Sequence, residues 1–563
     1  MERTENPASA VRNRPWTRSG GVEPDCAGSC GGVRIDDWFL TPAERGNPAT
    51  RLDSRHGDGL AWSTGNEVRP LIHGASYYAE LLARVRAMNA GDLLLFTDWR
   101  GDPDQRLAEP GSEVSDVFSA AAARGVLVRG LIWRSHLDRF QFSAQQNRHL
   151  GDDIEAAGGR CLLDMRVRPG GSHHMKLVVL RHGQRSDLDV AFVGGIDLCH
   201  GRRDDRAHLG DPQTQPMSAA YGERPPWHDL QAMIRGPAVA DVETVFRERW
   251  EDPAPLSRNP LHWIHDLATG QERHASPLPP QHPDPLPCGT QAVQLLRTFP
   301  FRRAGYDFAP DGERSIARAY LKALPQARSL IYIEDQYLWS ADVVRVLADT
   351  LRAQSGLRLI AVIPRFPDQD GRLSAPPNLI GRADALDLLY AAGGDRVAVY
   401  GLENAAGTPI YVHAKVCVVD DLWTNIGSDN FNRRSWTHDS EVSCAVIDES
   451  PGPAESSAAG SPLAGQGTVA GRLRLALSQE HLGCDHDAAD LPGRRMFEAF
   501  ERSAAALDAW HESGRQGQRP LGQLRRYPSP RLSAWTRIWA SIPYRLIYDP
   551  DGRPAAMRRA HTF

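Results

Sequence analysis

Apolar positions in the first 65 residues follow no period, and Pro, Gly, Arg and Ser interrupt them throughout, so segment 1–65 is expected to be an irregular leader. Folded sequence is expected to begin near Val68. From there helical spacing and short apolar runs alternate: YYAELLARVRAM (77–88), DLLLFTDW (92–99), SDVFSAAAARG (115–125) and VLVRGLIW (126–133). Amphipathic helices alternating with short buried strands are the signature of an α/β sheet covered by helices.

A Pro-rich stretch at 275–290 breaks this pattern and reads as a linker. Beyond it the same grammar restarts. SIARAYLKALPQA (315–327) precedes SLIYIEDQYLW (329–339), and ADVVRVLADTLRAQSG (341–356) leads into LRLIAVIP (357–364). Recurrence of one helix–strand unit at domain scale points to fusion of two equivalent halves. The expected organisation is a first domain over 66–274, the linker, a second domain over 291–535 with a Ser/Gly/Pro-rich flexible insertion at 449–468, and a C-terminal tail over 536–563.

Length agrees with two domains, since 563 residues exceed what one hydrophobic core supports. With 65 basic against 70 acidic side chains, the formal charge of -5 removes the general electrostatic reason to expect a nucleic-acid partner. The N-terminus has no apolar signal core, and no run approaches the ~20 apolar residues that span a bilayer. A cytoplasmic protein with no integral membrane segment, at most peripheral to a membrane, is therefore expected. Eight cysteines (26, 30, 161, 199, 288, 417, 444 and 484) are sparse and read as reduced thiols. The CAGSC of Cys26 and Cys30 lacks a second ligand pair at finger spacing, so neither a metal nor a cofactor is expected.

Chemistry concentrates in YVHAKVCVVDDLWTNIGSDNFNRRSWTHDSEV (411–442), which holds His413-x-Lys415, Asp420, Gly427, Ser428 and Asn430. On a strand of period two His413 and Lys415 share a face, placing an acid or nucleophile beside a fixed positive charge, as a phosphodiester requires. Gly427 permits close backbone approach, and Ser428 and Asn430 can hydrogen-bond phosphoryl oxygens. The first half repeats the pair as His174-x-Lys176, with Gly194-Gly195-x-Asp197 where the second has Gly-Ser-x-Asn. Two such pairs in duplicated halves can converge on one phosphate across a pseudo-twofold axis.

These motifs, together with GGIDLCHGR (194–202), PWHDLQAMIRGPAV (226–239), IYIEDQYLW (331–339), SQEHLG (478–483) and PYRLIYDPDG (543–552), resemble the HKD phosphodiesterases, and most of all their phospholipase D branch. The resemblance implies two pseudo-repeated α-β-α sandwich domains packed around one shared active site, in a chain expected to be monomeric. It implies hydrolysis of glycerophospholipids at a membrane surface to phosphatidic acid and free headgroup, or transfer to another alcohol. His174 would attack phosphorus to form a phosphohistidine, and His413 would serve as acid and then base. Lys176, Lys415 and Asn430 would neutralise the phosphoryl oxygens. Each imidazole needs an orienting carboxylate, for which Glu441 is the candidate for His413 and Asp229 for His174. Gly195, Asp197, Ser428, Glu334 and Gln336 are expected around the substrate. The relatives kept as alternatives are a cardiolipin synthase-like phosphatidyltransferase, a nuclease and an inactive lipid-binding homologue.

One position departs from the family pattern. The first HxKxxxxD motif ends in Arg181 rather than an acid, and Asp187 or Asp189 is the candidate substitute. His173, His200 and His208 are read as packing or surface residues, Arg433 and Arg434 as a solvated charge pair, and Trp99, Trp227 and Trp339 as equally suited to core packing or to a substrate path.

Overall fold

The computed structural model describes residues 34–135, 144–371, 374–449, 467–484 and 493–563. Cys26, Cys30, the start of the leader and nearly all of the 449–468 insertion lie outside the described residues.

The first half contributes β1 (Ser63–Ile72), β2 (Leu93–Asp98), β3 (Leu127–Trp133), β4 (Arg160–Asp164), β5 (Leu177–Arg181), β6 (Val190–Gly194), β7 (Trp227–His228) and β8 (Leu230–Arg235). The second contributes β9 (Gln291–Phe299), β10 (Glu313–Arg314), β11 (Leu330–Asp335), β12 (Arg358–Val362), β13 (Val397–Glu403), β14 (Pro409–Val412), β15 (Lys415–Val419), β16 (Trp423–Gly427), β17 (Glu441–Asp448) and β18 (Leu524–Arg526). Spatial order in the first half is β4-β3-β2-β5-β6-β8-β1. The second half runs β13-β12-β11-β15-β16-β17-β9, the same order with the same parallel and antiparallel senses. The duplication read from the sequence is thus a duplication of topology. The corresponding edge strands β1 and β9 pair with each other, joining the halves into one large sheet.

Strand alternation separates the layers. Leu93, Leu95, Leu330 and Tyr332 point into a central core shared by both halves, whereas Leu94 and Phe96 face the outer helices of the first half and Ile331 and Ile333 those of the second. Helix Ala238–Trp250 is buried along its whole length in the middle layer. Its Glu248 meets Arg297 of β9, which also pairs with Glu313, so a buried ion-pair chain crosses between the halves.

Residues 34–65, expected in an irregular leader, instead pack on both halves, 38–40 against the second and 50–56 against helix Ala238–Trp250 of the first. A capping box of Thr41 and Glu44 starts the short helix Pro42–Arg45, and Trp38, Phe39 and Leu40 are buried beside Ile316 and Tyr320. Arg45 joins the buried chain through Glu313 and Asp53. Three consecutive apolar residues have no period to detect, yet burying each contributes about 1.5–3 kcal/mol. The C-terminal segment is also anchored, by the buried carboxylate of Asp549 on Arg433. Cys161, Cys199, Cys417 and Cys444 are buried free thiols, Cys288 is exposed and Cys484 partly so.

Candidate active site

Lys415 opens β15 and Lys176 immediately precedes β5, each with its histidine two residues earlier, outside the strand. These histidine segments leave their own sheets and dock on the other half. The His174 amide donates to the Ser440 carbonyl at 2.9 Å, and the His413 amide to that of His228 at 2.7 Å. Ser440 and His228 directly precede Glu441 and Asp229, so each docked imidazole meets a carboxylate of the opposite half. His174 Nδ1 lies 2.9 Å from Glu441 Oε2, and His413 Nδ1 lies 2.6 Å from Asp229 Oδ2. This reverses the expected partners. Read from the resemblance, each histidine pairs with an acid of its own half, but the chain brings acid and base together only by crossing between them.

Each lysine ammonium donates to the carbonyl of its own motif histidine, Lys176 Nζ at 3.0 Å to His174 and Lys415 Nζ to His413. Beyond that the half-sites differ. Lys176 pairs with Asp197 at 3.2 Å, which makes Asp197 a partner of the lysine rather than a free substrate ligand. Lys415 is held by Gln336 Oε1 at 3.2 Å, and Gln336 in turn donates to the Tyr411 hydroxyl. Ser428 Oγ donates to Glu441 at 2.5 Å, so it too braces the site from behind. A Cβ on Gly195 would lie 2.2 Å from Asp229 Oδ1, so only glycine leaves room for the carboxylate that holds His413. Asn430 is buried with its Oδ1 lacking a hydrogen-bond partner.

Electrostatics show the two motifs to be neighbours. Burial first and Lys176 second push the His174 imidazole well below its ordinary value, with Lys415 adding to the effect. His413 is pushed down in the same way by burial, then Lys415, Arg202 and Lys176. Each histidine therefore feels the other half's lysine. Burial also raises Glu441 and Asp229 and lowers Lys415 to about 8. With Nδ1 committed to a carboxylate and the ring neutral, Nε2 of each imidazole carries the free lone pair. The His174 side chain is 16% exposed and that of His413 6%, so His174 is the more open to attack on a substrate.

Several expected residues lie elsewhere. Glu334 does not face the lysines: its oxygens are taken by His228 and His481, each at 2.7 Å, and by Tyr332 at 2.5 Å. Asp420 sits at the far end of β15 and accepts the backbone N–H groups of Arg328, Ser329 and Leu330, fixing the loop that enters β11. In the first half Asp92 performs the corresponding closure, accepting from Asn89 and Gly183 across the β2 and β5 ends. Arg181 is buried between Asp189 at 2.9 Å and Glu243 at 2.6 Å, so Asp189 neutralises the arginine instead of replacing the motif acid. Asp187 is an exposed partner of Arg185. Arg433 and Arg434 are not a solvated pair but hold Asp549 and Asp439.

Motif reading passed over two contributors, Arg202 and Asp439, and left the role of Trp99 open. The Arg202 guanidinium lies 3.9 Å over the Trp227 ring, which also packs on His413 at 4.8 Å and Tyr411 at 4.9 Å between centroids. Asp439 accepts both the amide and the hydroxyl of Ser172, two residues before His174. Trp99 approaches His174 edge-on at 6.1 Å. Arg202 ends the GGIDLCHGR motif and was within reach of the sequence, whereas the Asp439 contact depends on the crossing of the halves.

Comparison with known proteins agrees with this geometry. The family model described as Phospholipase D matches residues 162–345 and 399–528, more than half of the chain, and one described as Cardiolipin synthase, PLD-like domain, matches 320–456. Phospholipase D alpha 2 of Oryza sativa subsp. japonica is 26% identical over 71% of this chain and 63% of its own length. Phospholipase D alpha 1 of Cynara cardunculus is 27% identical over 76% of this chain and 66% of its own. Phospholipase D1 of Saccharomyces cerevisiae is 25% identical over 80% of this chain but only 31% of its own. The chain thus spans less than two thirds of the length of these curated relatives. With both HxK pairs, their carboxylates and the duplicated sheet in place, the chain belongs to the phospholipase D family.

Proposed function

We propose that the protein is a phospholipase D-type phosphodiesterase that cleaves glycerophospholipids to phosphatidic acid and a free headgroup. The observation that carries this reading is the pair of neutral imidazoles, each anchored through Nδ1 on a buried carboxylate of the opposite half and each beside a lysine. His174 Nε2 attacks phosphorus as the bond to the headgroup oxygen breaks, and His413 delivers a proton from Nε2 to that oxygen. A phosphodiester anion bound between the lysines offsets the charges that depress His413, favouring the protonated form the acid role needs. Water, or a second alcohol, then attacks phosphorus and gives its proton to His413 as the P–N bond breaks. Lys176, Lys415 and Asn430 stabilise the charge that builds on the phosphoryl oxygens. Because both halves reside in one chain, a monomer holds the complete site.

A lipid surface is the matching substrate environment. Helix Pro260–Thr269 turns Leu261, Ile264 and Leu267 to solvent while its Asp266 docks on Arg134. Helix Ala534–Pro543 and the turn after it expose Trp535, Ile538, Ile542 and Leu546 in one helical stripe. Both elements connect to the surroundings of His174, the first through Arg134 beside Trp133, which stacks on Trp99, and the second through Arg434, which bonds both Ile547 and Asp439. Apolar stripes presented outward suit insertion at a membrane interface. No helix among the described residues is long and apolar enough to cross a membrane. Incubating wild type and His174→Ala with mixed phospholipid vesicles and ethanol tests the reading: phosphatidic acid and phosphatidylethanol are expected from wild type only. If wild type forms neither product, the lipid assignment falls.

A further inference from the structure

Behind the catalytic pairs lies a second cluster of ionisable groups that the reaction does not use. His73, His208, His228 and Glu480 are all buried, and one donor atom from each lies within 4.8 Å of the others. Three imidazoles converge on one carboxylate: His73 Nε2 at 2.8 Å, His208 Nε2 at 3.0 Å and His228 Nδ1 at 3.4 Å from Glu480 oxygens. The histidines come from the first half and Glu480 from helix Val469–Leu482 of the second.

Proton placement defines what these atoms can bind. His208 Nδ1 faces the Trp227 carbonyl at 3.1 Å, which can only accept, so Nδ1 carries a proton. His228 Nε2 faces the Glu334 carboxylate at 2.7 Å and carries one for the same reason. The opposite nitrogens, His208 Nε2 and His228 Nδ1, are both aimed at Glu480 Oε1, at 3.0 and 3.4 Å. The His228 Nδ1 contact is too long or too poorly aligned for a direct hydrogen bond. A lone pair facing a carboxylate in a buried space repels it, so either a second ring proton or a metal ion must hold each contact together. An imidazole that gives its outer N–H to a carbonyl or carboxylate is also the arrangement that orients metal ligands. In addition, His73 and His208 hold positive φ angles of 71° and 51°, a backbone cost that non-glycine residues bear where geometry is over-determined.

We propose that His73, His208, His228 and Glu480 form a tetrahedral site for a divalent transition-metal ion of the zinc class, clasping the two halves together behind the active site. Three imidazole nitrogens and one carboxylate oxygen are a donor set that zinc accepts. A divalent ion would balance the two buried carboxylates, Glu480 and Glu334. It would also fix His228, whose carbonyl receives the His413 amide and whose neighbour Asp229 holds the His413 ring. The role is structural and positional, and it stands independently of the substrate assignment.

The full chain, expressed with added zinc, is tested by elemental analysis after desalting, then stripped with a chelator and titrated with Zn2+ or Co2+. The expected results are about one zinc per chain, tetrahedral Co2+ absorption bands, and a thermal midpoint at least about 5 °C higher with metal than without. His208→Asn and Glu480→Gln are expected to lose the metal and the shift, while the exposed Asp187→Asn keeps both. Should a variant fail to fold, the wild-type metal content and cobalt spectrum decide alone. Absence of stoichiometric metal together with no tetrahedral cobalt spectrum and no shift in wild type overturns the proposal, leaving a network of imidazolium–carboxylate pairs.

Discussion

At the residue scale, the crossed pairing of acids and histidines makes the two carboxylates distinguishable. Asp229→Asn weakens His413, the proton donor, so its loss of about 10²–10⁴-fold in kcat on a choline or ethanolamine lipid should shrink with a nitrophenol leaving group that needs no proton. Glu441→Gln weakens His174, the nucleophile, and its loss should persist with either leaving group. The reverse pattern would restore the pairing of each histidine with the acid of its own half. Ionisation adds a pH test. Protonation disables His174, and burial with Lys176 holds it below 6.5, so the acid limb of kcat/KM should lie below pH 6.5, while loss of the His413 proton, also held low by burial and Lys415, already lowers kcat/KM above that limb. Loss of the Lys415 charge weakens phosphate binding, so kcat/KM should decline as pH rises through about 8. A profile with its acid limb above pH 6.5 contradicts this assignment.

At the element scale, the strands were legible because the buried runs are contiguous: DLLLFTDW and SLIYIEDQYLW are β2 and β11 with their flanking turns. Both HxK pairs were legible because the same spacing of histidine and lysine recurs in both halves. What could not be read was the docking of each motif on the other half, since neither Ser440 nor His228 carries a local mark of that contact. Asp420 shows the same limit: its motif position suggested the site, while its side chain closes a loop at the other end of the strand. Arg181 is the informative departure. Its guanidinium bridges two buried acids, so Arg181→Ala should cost about 3–5 kcal/mol in chemical denaturation by taking the shared cation from Asp189 and Glu243, which keep only His182 and Arg247. Arg181→Asp, which restores the family motif, should be worse, because it sets a third carboxylate beside them. A variant Arg181→Asp as stable as wild type would contradict this account.

At the scale of the whole molecule, duplication was visible in the repeated helix–strand order, and the structure extends it to identical strand order and to pairing of the equivalent edges β1 and β9. The leader escaped the sequence because Trp38, Phe39 and Leu40 form a single contact without periodicity. The outward apolar helices escaped it as well, since an amphipathic stripe does not reveal which way it faces. If those stripes meet a membrane, Trp535→Glu with Ile538→Glu should weaken vesicle binding by at least about tenfold, read by flotation. The ratio of turnover on vesicles to turnover on a soluble short-chain phospholipid should fall in parallel. Unchanged flotation would remove these helices from the interface.

The central claim is a phosphohistidine at His174 resolved by His413. The most direct test is rapid-quench intact-protein and peptide mass spectrometry of His413→Asn mixed with a short-chain phosphatidyl nitrophenol ester, whose leaving group departs without the acid. An acid-labile phosphatidyl adduct on His174 is expected to accumulate, because no base activates water. Rapid nitrophenol release with no adduct on His174, or an adduct on another residue, would contradict it.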